Sequence, residues 1–308
     1  MGLVNQQTSS EEPGISICVP TFKRREMLSR CLDAIVGQVD VSVPFVVIVV
    51  DNDPLGTARI VVEELRNRSS LHVRYIHEPR QSISIARNTA VANAEGKYIA
   101  FIDDDECPES TWLESLYQAL TQFDADGVLG PVLPNFVEPP PDWLVKSRLC
   151  DRESFRTGTL MESAKHLRAG NLFLKREVFT GISAPFDPAL GRTGGEDADF
   201  LARMVAKGFR FVWCDEARVF EEVPIERQTL HYHLQRALVR GVTEADRERL
   251  ISYGTLKSLA AVVVYSLILP VLFFTSRALF ARYAVKWCDH AAKLLAKLGI
   301  KLVRERNF

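Results

Sequence analysis

The chain has 308 residues, 47% of them hydrophobic and 25% charged, with a formal net charge of -1. This composition gives a globular protein with a sizeable core, in one large or two smaller domains, and excludes a disordered or fibrous chain. The charge is unevenly spread: residues 277–308 hold eight Lys or Arg against two acids, so an acidic body with a basic tail argues against nucleic acid and for a tail that meets an anionic surface.

The start, MGLVNQQTSSEEPG, carries no apolar h-region, and residues 1–13 read as a flexible leader. Cys18, Cys31, Cys107, Cys150, Cys214 and Cys288 have no paired spacing, which fits reduced thiols better than a zinc site or a disulfide scaffold. From residue 15 apolar runs alternate with amphipathic helices. ISICV (15–19) precedes a helix bearing Met27, Leu28, Cys31, Leu32, Ile35 and Val36. FVVIVV (45–50), a helix through Ile60 to Leu65, VRYIH (73–77), a helix over 84–94 and YIAFI (98–102) follow. A helix with Trp112, Leu113, Leu116, Tyr117 and Leu120 leads to a strand near GVLGPV. Strands apolar throughout and separated by helices predict an α/β fold with a mainly parallel sheet covered on both faces.

Open parallel sheets bind ligands at the carboxyl ends of their strands. The polar residues there are PTFKR after the first strand, DND after the second and DDDE after the fourth, and all three are expected to line one crevice. Beyond 131 the pattern loosens through the proline-rich VEPPPDWL (137–144), then resumes with NLFLKREVF (171–179), a Gly-rich turn and helix in GRTGGEDADFLARMVAKG (191–208), and FRFVWC (209–214).

Residues 258–276, SLAAVVVYSLILPVLFFTS, carry no charge and lie between Lys257 and Arg277. The stretch is just long enough to span a bilayer core of about 30 Å at about 1.5 Å per residue. A simple span would export the basic tail, against the positive-inside tendency, because Arg236, Arg240, Arg247, Arg249 and Lys257 make the upstream flank basic as well. A re-entrant or in-plane arrangement bent at Pro270 satisfies both flanks. In the tail, Lys286, His290, Lys293, Lys297, Lys301 and Arg304 form one helical stripe, suited to anionic headgroups.

The run Asp103, Asp104, Asp105 and Glu106 makes sense if a divalent cation neutralises it, since Mg²⁺ and Mn²⁺ take carboxylate and phosphate oxygens. On an extended segment Asp103 and Asp105 share a side and Asp104 points away. A solvated turn is the plain alternative, and acids also favour helix N-termini.

The motifs VPTFKR, VVDND, SISIARNTAVANAEGKYIAFIDDDE and GGEDADFLARM occur in this order, and together they resemble the family-2 glycosyltransferases of the GT-A fold, over residues 14–241. The most similar members build exopolysaccharide or other surface glycans on a lipid carrier. The resemblance implies a catalytic domain over 14–250, with a nucleotide-binding half (14–130) and an acceptor half (131–250); the apolar stretch and the basic stripe add membrane-associated helices over 251–308. It implies that Pro20 and Thr21 frame the nucleotide base, that Asp51 bonds its polar edge, and that Arg87 lies on the nucleotide side. Asp103 and Asp105 match the D-x-D pair, Asp105 being the direct ligand of Mg²⁺ or Mn²⁺, with Asp104 also on the donor side. Asp197 corresponds to the general base that deprotonates the acceptor hydroxyl, and Glu196 to a helper. Without the resemblance, that pair also reads as first-turn acids of a helix, Asp51 as a turn acid, and Arg24 as a solvated residue.

Gly170 and Asn171 match a Gly-Asn pair near the sugar, and Trp143 is either core or a platform for an acceptor ring. Arg227, Arg236 and Arg240 are placed to meet diphosphate or acceptor phosphate. His231 and His233 do not share a helix face. Where processive synthases carry Q-x-x-R-W, this chain has Gln235-Arg236-Ala237-Leu238-Val239, which argues for a single addition. The expected reaction is therefore inverting, metal-dependent transfer of one sugar from a nucleotide diphosphate donor, a UDP-sugar above all, to a hydroxyl of a polyprenyl-diphosphate-linked glycan, at the cytoplasmic face of the membrane. The rivals are a polyprenyl-phosphate sugar transferase, a sugar nucleotidyltransferase and a non-catalytic sugar-nucleotide-binding scaffold.

Overall fold

The computed structural model describes residues 14–163, 166–191, 194–247 and 252–300. The expected leader, Arg249, Lys301 and Arg304 lie outside the described residues. The chain divides into two units, residues 1–133 with 152–221 and residues 134–151 with 222–308.

The first unit is built on a seven-stranded sheet. Its strands are β1 (Ile15–Thr21), β2 (Phe45–Asp51), β3 (Val73–His77), β4 (Tyr98–Phe101), β6 (Gly127–Leu129), β8 (Leu172–Lys175) and β9 (Phe211–Trp213), in the order β3-β2-β1-β4-β8-β6-β9. A second sheet has the order β5-β10-β7, from β5 (Glu106–Pro108), β7 (Val132–Asn135) and β10 (Val219–Glu222). The pairs β1–β2, β2–β3, β1–β4 and β6–β9 are parallel. Strand β8 runs antiparallel to β4 and to β6.

Alternation along each strand explains why these runs are apolar at every position. Ile15, Ile17, Val19, Val47, Val49 and Ala100 point to one face. Cys18, Ile48, Val50, Ile99 and Phe101 point to the other. The first face is covered by α1 (Arg25–Val36), α2 (Arg59–Arg68) and α4 (Trp112–Gln122), through Leu28, Leu32, Val62, Leu65, Trp112 and Leu116. The second is covered by α3 (Ile83–Asn93) and α6 (Glu196–Ala206), through Ala86, Ala90, Phe200, Leu201 and Met204. Each helix has its apolar residues at three- and four-residue spacing on one face.

The strand-like run 171–179 is only half strand, since Arg176–Phe179 forms a 3-10 turn after β8. Between β8 and β9, Gly127 sits where an added Cβ would fall 2.5 Å from Leu174 and 2.7 Å from Phe211, so the close approach of β6 to its neighbours needs glycine.

The second unit is helical: α5 (Asp142–Ser147), α7 (Leu230–Arg247), α8 (Tyr253–Thr275) and α9 (Arg277–Lys297). Helix α9 packs against the other three. At Gly241 an added Cβ would stand 2.4 Å from the Asp289 carbonyl oxygen and 2.8 Å from Ala292, which shows how closely α7 and α9 approach. The apolar stretch forms one helix with Pro270 inside it. The expected headgroup stripe is partly turned inward. Lys293 is buried and pairs with Glu244, Lys297 donates to Thr255, and His290 Nδ1 lies 3.0 Å from Ser258 Oγ.

Candidate active site

The order β2-β1-β4 places the carboxyl ends of three strands side by side. Thr21 is paired in register with Asp51, and the Asn52 N–H donates to the Thr21 carbonyl. At the end of β4 the chain turns: the Glu106 N–H donates to the Asp103 carbonyl at 3.1 Å, and the Asp103 N–H donates to the Glu106 carboxylate at 3.1 Å. That turn brings all four acids to one place.

Two guanidinium groups bond to three of them, and Arg152, paired with Glu221, also draws Glu106 down. Arg24, at the start of α1, donates to Asp104 at 3.1 Å and to Asp105 at 2.9 Å. Thr21 Oγ1 donates to the other Asp104 oxygen at 2.7 Å. Arg87, buried on α3, donates to Asp103 at 3.0 Å and to Glu196 through its other terminal nitrogen. Ser82 caps this helix, and the Asn52 side chain fixes the approach to it by accepting from the Ser82 N–H and donating to the Glu78 and Arg80 carbonyls.

The remaining charge is not balanced. Asp103, Asp104, Asp105, Glu106, Glu196 and Asp197 gather around Arg24 and Arg87. Burial, with Asp103 nearby, pushes the Asp105 carboxyl up to about 6, although Arg24 pulls it down. Burial also raises Asp104 against the pull of Arg24. It raises Glu106 well above the usual carboxylate range, with Asp103 adding to the effect. Glu196 is raised by burial and drawn back by Arg87. Desolvation plus like charge produces such shifts, and they mark a place where added positive charge would be welcome.

Helix α6 closes the site. Gly194 and Gly195 have φ of 81° and 92°, left-handed geometry that glycine adopts without strain. Gly195 offers no side-chain cap, and Glu196, Asp197 and Asp199 fill the first turn, where the helix dipole favours acids. Asp197 accepts from the Ala169 N–H at 3.1 Å and from the Ala198 N–H at 2.7 Å. Next to Ala169, Gly170 faces the acid turn, where an added Cβ would lie 2.7 Å from a Glu106 oxygen and 3.5 Å from Asp103. The acid turn, the 169–170 backbone, Arg87 and the head of α6 are thus one connected network.

Several expected residues have a different setting. Asp51 is fully buried and accepts from the Asp53 and Ala58 N–H groups and the Tyr75 hydroxyl, so its carboxylate holds the 53–58 loop and the end of β3 instead of an open edge. Asp104, expected to point away, is tied to β1 through Thr21. Asn171 is fully buried with φ of 55°. Its side chain accepts from the Trp112 indole and donates to the Pro131 and Ala217 carbonyls, which secures the strand crossing. Pro20 is buried at the end of β1. Trp143, Arg236 and Arg240 belong to the second unit. There Arg240 pairs with Asp289 at 2.9 Å, and Arg236 lies over the Tyr232 ring. His231 is exposed and His233 buried, on different faces of α7. Among the described residues no group of three or more His, Cys, Asp or Glu is arranged to hold a metal ion unaided.

Sequence reasoning reads Arg24 as a solvated residue and gives Glu106 no role beyond membership of the acid run. The only signal for Arg24 is its place in TFKRRE, one of three consecutive cations. Lys23, at φ 57°, turns the chain there.

Comparison with known proteins agrees with this architecture. The family model described as glycosyl transferase family 2 matches residues 16–182. The succinoglycan biosynthesis protein ExoM of Rhizobium meliloti (strain 1021) is 31% identical over 300 residues, 94% of this chain and 95% of that protein. The glycosyltransferase AglE of Haloferax volcanii is 26% identical over 225 residues, 70% of this chain and 71% of that protein. Among solved structures, the mannosyltransferase PcManGT from Pyrobaculum calidifontis, in complex with GDP-Man and Mn²⁺, superposes with a TM-score of 0.60 at 18% identity, over 94% of this chain and 87% of its own. S. aureus TarS 1-349 in complex with UDP-GlcNAc gives 0.53 at 16%, over 93% and 92%. The chain belongs to glycosyl transferase family 2 and is a glycosyltransferase of the GT-A fold.

Proposed function

We propose that this enzyme moves one sugar from a nucleoside diphosphate donor, a UDP-sugar in the first instance, to a hydroxyl of a lipid-linked glycan during surface polysaccharide synthesis, inverting the anomeric carbon. The observation that carries the reading is the Arg87 bridge between Asp103 and Glu196, which ties the acid turn to the helix head bearing Asp197. The whole-length similarity to a succinoglycan biosynthesis protein supports the pathway class. The neighbours solved with UDP-GlcNAc and GDP-Man support the donor class.

The residues present fit a hard divalent cation. Asp103 keeps one carboxylate oxygen beyond its bond to Arg87, and Asp105 carries a proton-favouring surplus of negative charge. Two carboxylates without a third protein ligand suit Mg²⁺ or Mn²⁺ that takes its remaining oxygens from phosphate and water. When bound, the ion would offset the charge that builds on the diphosphate as the glycosidic bond breaks. The protein's own share is positional. Thr21 and Arg24 hold Asp104 and Asp105 in place, Arg87 fixes Asp103, and the 53–58 loop held by Asp51 frames the base together with Pro20. Gly170 lets the backbone beside Asp197 pass close to the acids.

Asp197 acts as the base. Its carboxylate, oriented by the Ala169 N–H, takes the acceptor hydroxyl proton as that oxygen bonds to the anomeric carbon and the diphosphate leaves from the opposite side. Glu196 positions Arg87. Asn171 and Arg240 are given no contact with substrate. The basic, apolar second unit keeps the enzyme on anionic lipid at the cytoplasmic membrane face, where a polyprenyl-diphosphate glycan is found. The test is turnover of a panel of nucleotide sugars with a lipid-linked glycan extract, with the anomeric configuration of the product read by NMR. One donor consumed with inversion is expected, and a product of retained configuration would overturn the mechanism.

A further inference from the structure

Helix α8 is 23 residues long, and Ser258 is its one fully buried residue. Leu256, Leu259, Val263, Leu267, Val271 and Phe274 are all more than half exposed, and their three- and four-residue spacing puts them on one stripe. By length and composition α8 could cross a membrane. What it is bound to decides otherwise.

Helix α9 runs antiparallel beside α8 along its whole length. Phe273 meets Phe280 near the turn, Tyr265 meets Tyr283, the Trp287 indole donates to Ser266 at 2.9 Å, and His290 lies beside Ser258. At the far end Lys297 donates to Thr255 at 2.6 Å. The two helices therefore enter or leave a membrane together. Helix α9 carries Arg277, Arg282, Lys286, Asp289, Lys293 and Lys297, and it is joined on its other side to α7 by Arg240–Asp289 and Lys293–Glu244. A spanning α8 would draw these charges and α7 into hydrocarbon, where ionised groups are costly.

We propose that the α8–α9 hairpin is monotopic: it lies in the plane of one anionic leaflet, the α8 stripe among the acyl chains and α9 on the aqueous side, and does not cross the bilayer. Charge complementarity identifies the occupant of the α8 face. Residues 252–300 hold six Lys or Arg and one Asp, a net of +5, and Lys257, Arg277 and Arg282 are exposed around the apolar stripe. A shallow cleft of about 550 Å³ among Pro270, Phe273, Phe280 and Trp287 offers space for chain ends. This deepens the membrane placement given above and does not depend on the transfer reaction.

The test uses the full chain in cells. Thr275→Cys, at the turn between α8 and α9, and Val39→Cys, in the sheet unit, replace exposed residues. Each is treated with a membrane-impermeant maleimide in right-side-out vesicles, with the wild type as background. Both are expected to stay unlabelled until the vesicles are permeabilised. Labelling of Thr275→Cys alone in sealed vesicles would show a span and overturn the inference while leaving membrane attachment intact.

In a second arm the purified chain is floated with phosphatidylcholine vesicles, with or without phosphatidylglycerol as the anionic lipid. Leu267→Gln with Val271→Gln should weaken binding to both by at least about tenfold. Arg282→Gln should weaken binding only to the anionic vesicles, by about fivefold. No flotation, with an α8-dependent dimer in sedimentation, would mean that a second copy covers this face, and would overturn both the inference and the membrane reading.

Discussion

The two units lack opposite things. The sheet unit buries its apolar strands on both faces yet leaves a surplus of carboxylates at one end. The helical unit pairs Arg240 with Asp289 and Lys293 with Glu244 yet leaves a whole apolar helix face uncovered. In the proposed reading, a cation with its diphosphate meets the first and lipid meets the second, so that chemistry and location rest on separate parts.

If that division holds, the largest effect comes from the smallest change in the sheet unit. Asp197→Asn is expected to lower kcat by about 10²- to 10⁴-fold, with donor affinity and vesicle binding nearly unchanged. A loss of less than tenfold would point to an acceptor that is already anionic, as in a polyprenyl-phosphate sugar transferase, since a phosphate needs no base.

Arg87→Ala removes the buried partner of Asp103 and Glu196, and leaving a buried charge unpaired costs about 3–5 kcal/mol. Urea denaturation should show that loss, and Arg87→Lys should recover part of it. An unchanged midpoint would mean that the bridge between the acid turn and α6 is incidental.

The acid surplus also gives a signed pH dependence. Asp105 is raised from 3.8 to about 6 in the folded protein. The metal-free native state therefore binds more protons than the unfolded chain, so this group's stabilisation is present below pH 4 and is lost as pH rises through 6. The shift corresponds to up to about 3 kcal/mol. Denaturation at pH 5 and pH 7 with chelator should show it. Added Mn²⁺ should restore stability at pH 7 and have less effect at pH 5, where it competes with the proton on Asp105. Identical curves at both pH values would contradict the charge imbalance.

The smallest effect is expected at Arg24, whose side chain is 43% exposed. Arg24→Ala removes a competing cation, so Mn²⁺ alone should bind a few-fold more tightly at pH 8, while the half-point of its pH dependence moves above 6. Weaker binding at every pH would show that Arg24 mainly holds the turn in shape.

The pattern of the first half of the chain was readable because its strands are apolar on both faces, which in a chain this short means a covered, mainly parallel sheet. Direction was not readable for β8: LFLK would pack equally well either way, and it runs antiparallel between β4 and β6. The acid turn could be read from composition, but its partners could not. Arg24 stands among three successive cations, and only the turn at Lys23 selects which of them reaches back. The resemblance reads Asn171 toward the sugar; in the structure its buried side chain accepts from the indole of Trp112, 59 positions away, a partner that no local motif reveals. In the tail, the stripe through Lys293 and Lys297 follows helical spacing, but spacing cannot tell that α9 lies between α7 and α8.

The most direct measurement is calorimetric binding of nucleotide diphosphate sugars, with Mn²⁺ or Mg²⁺ and with chelator, to the wild type and to Asp105→Ala. Binding of one donor that requires the metal and disappears in the variant is the expected result. Equal binding with chelator, or binding that survives Asp105→Ala, would contradict the assignment of the acid turn as the metal and diphosphate site.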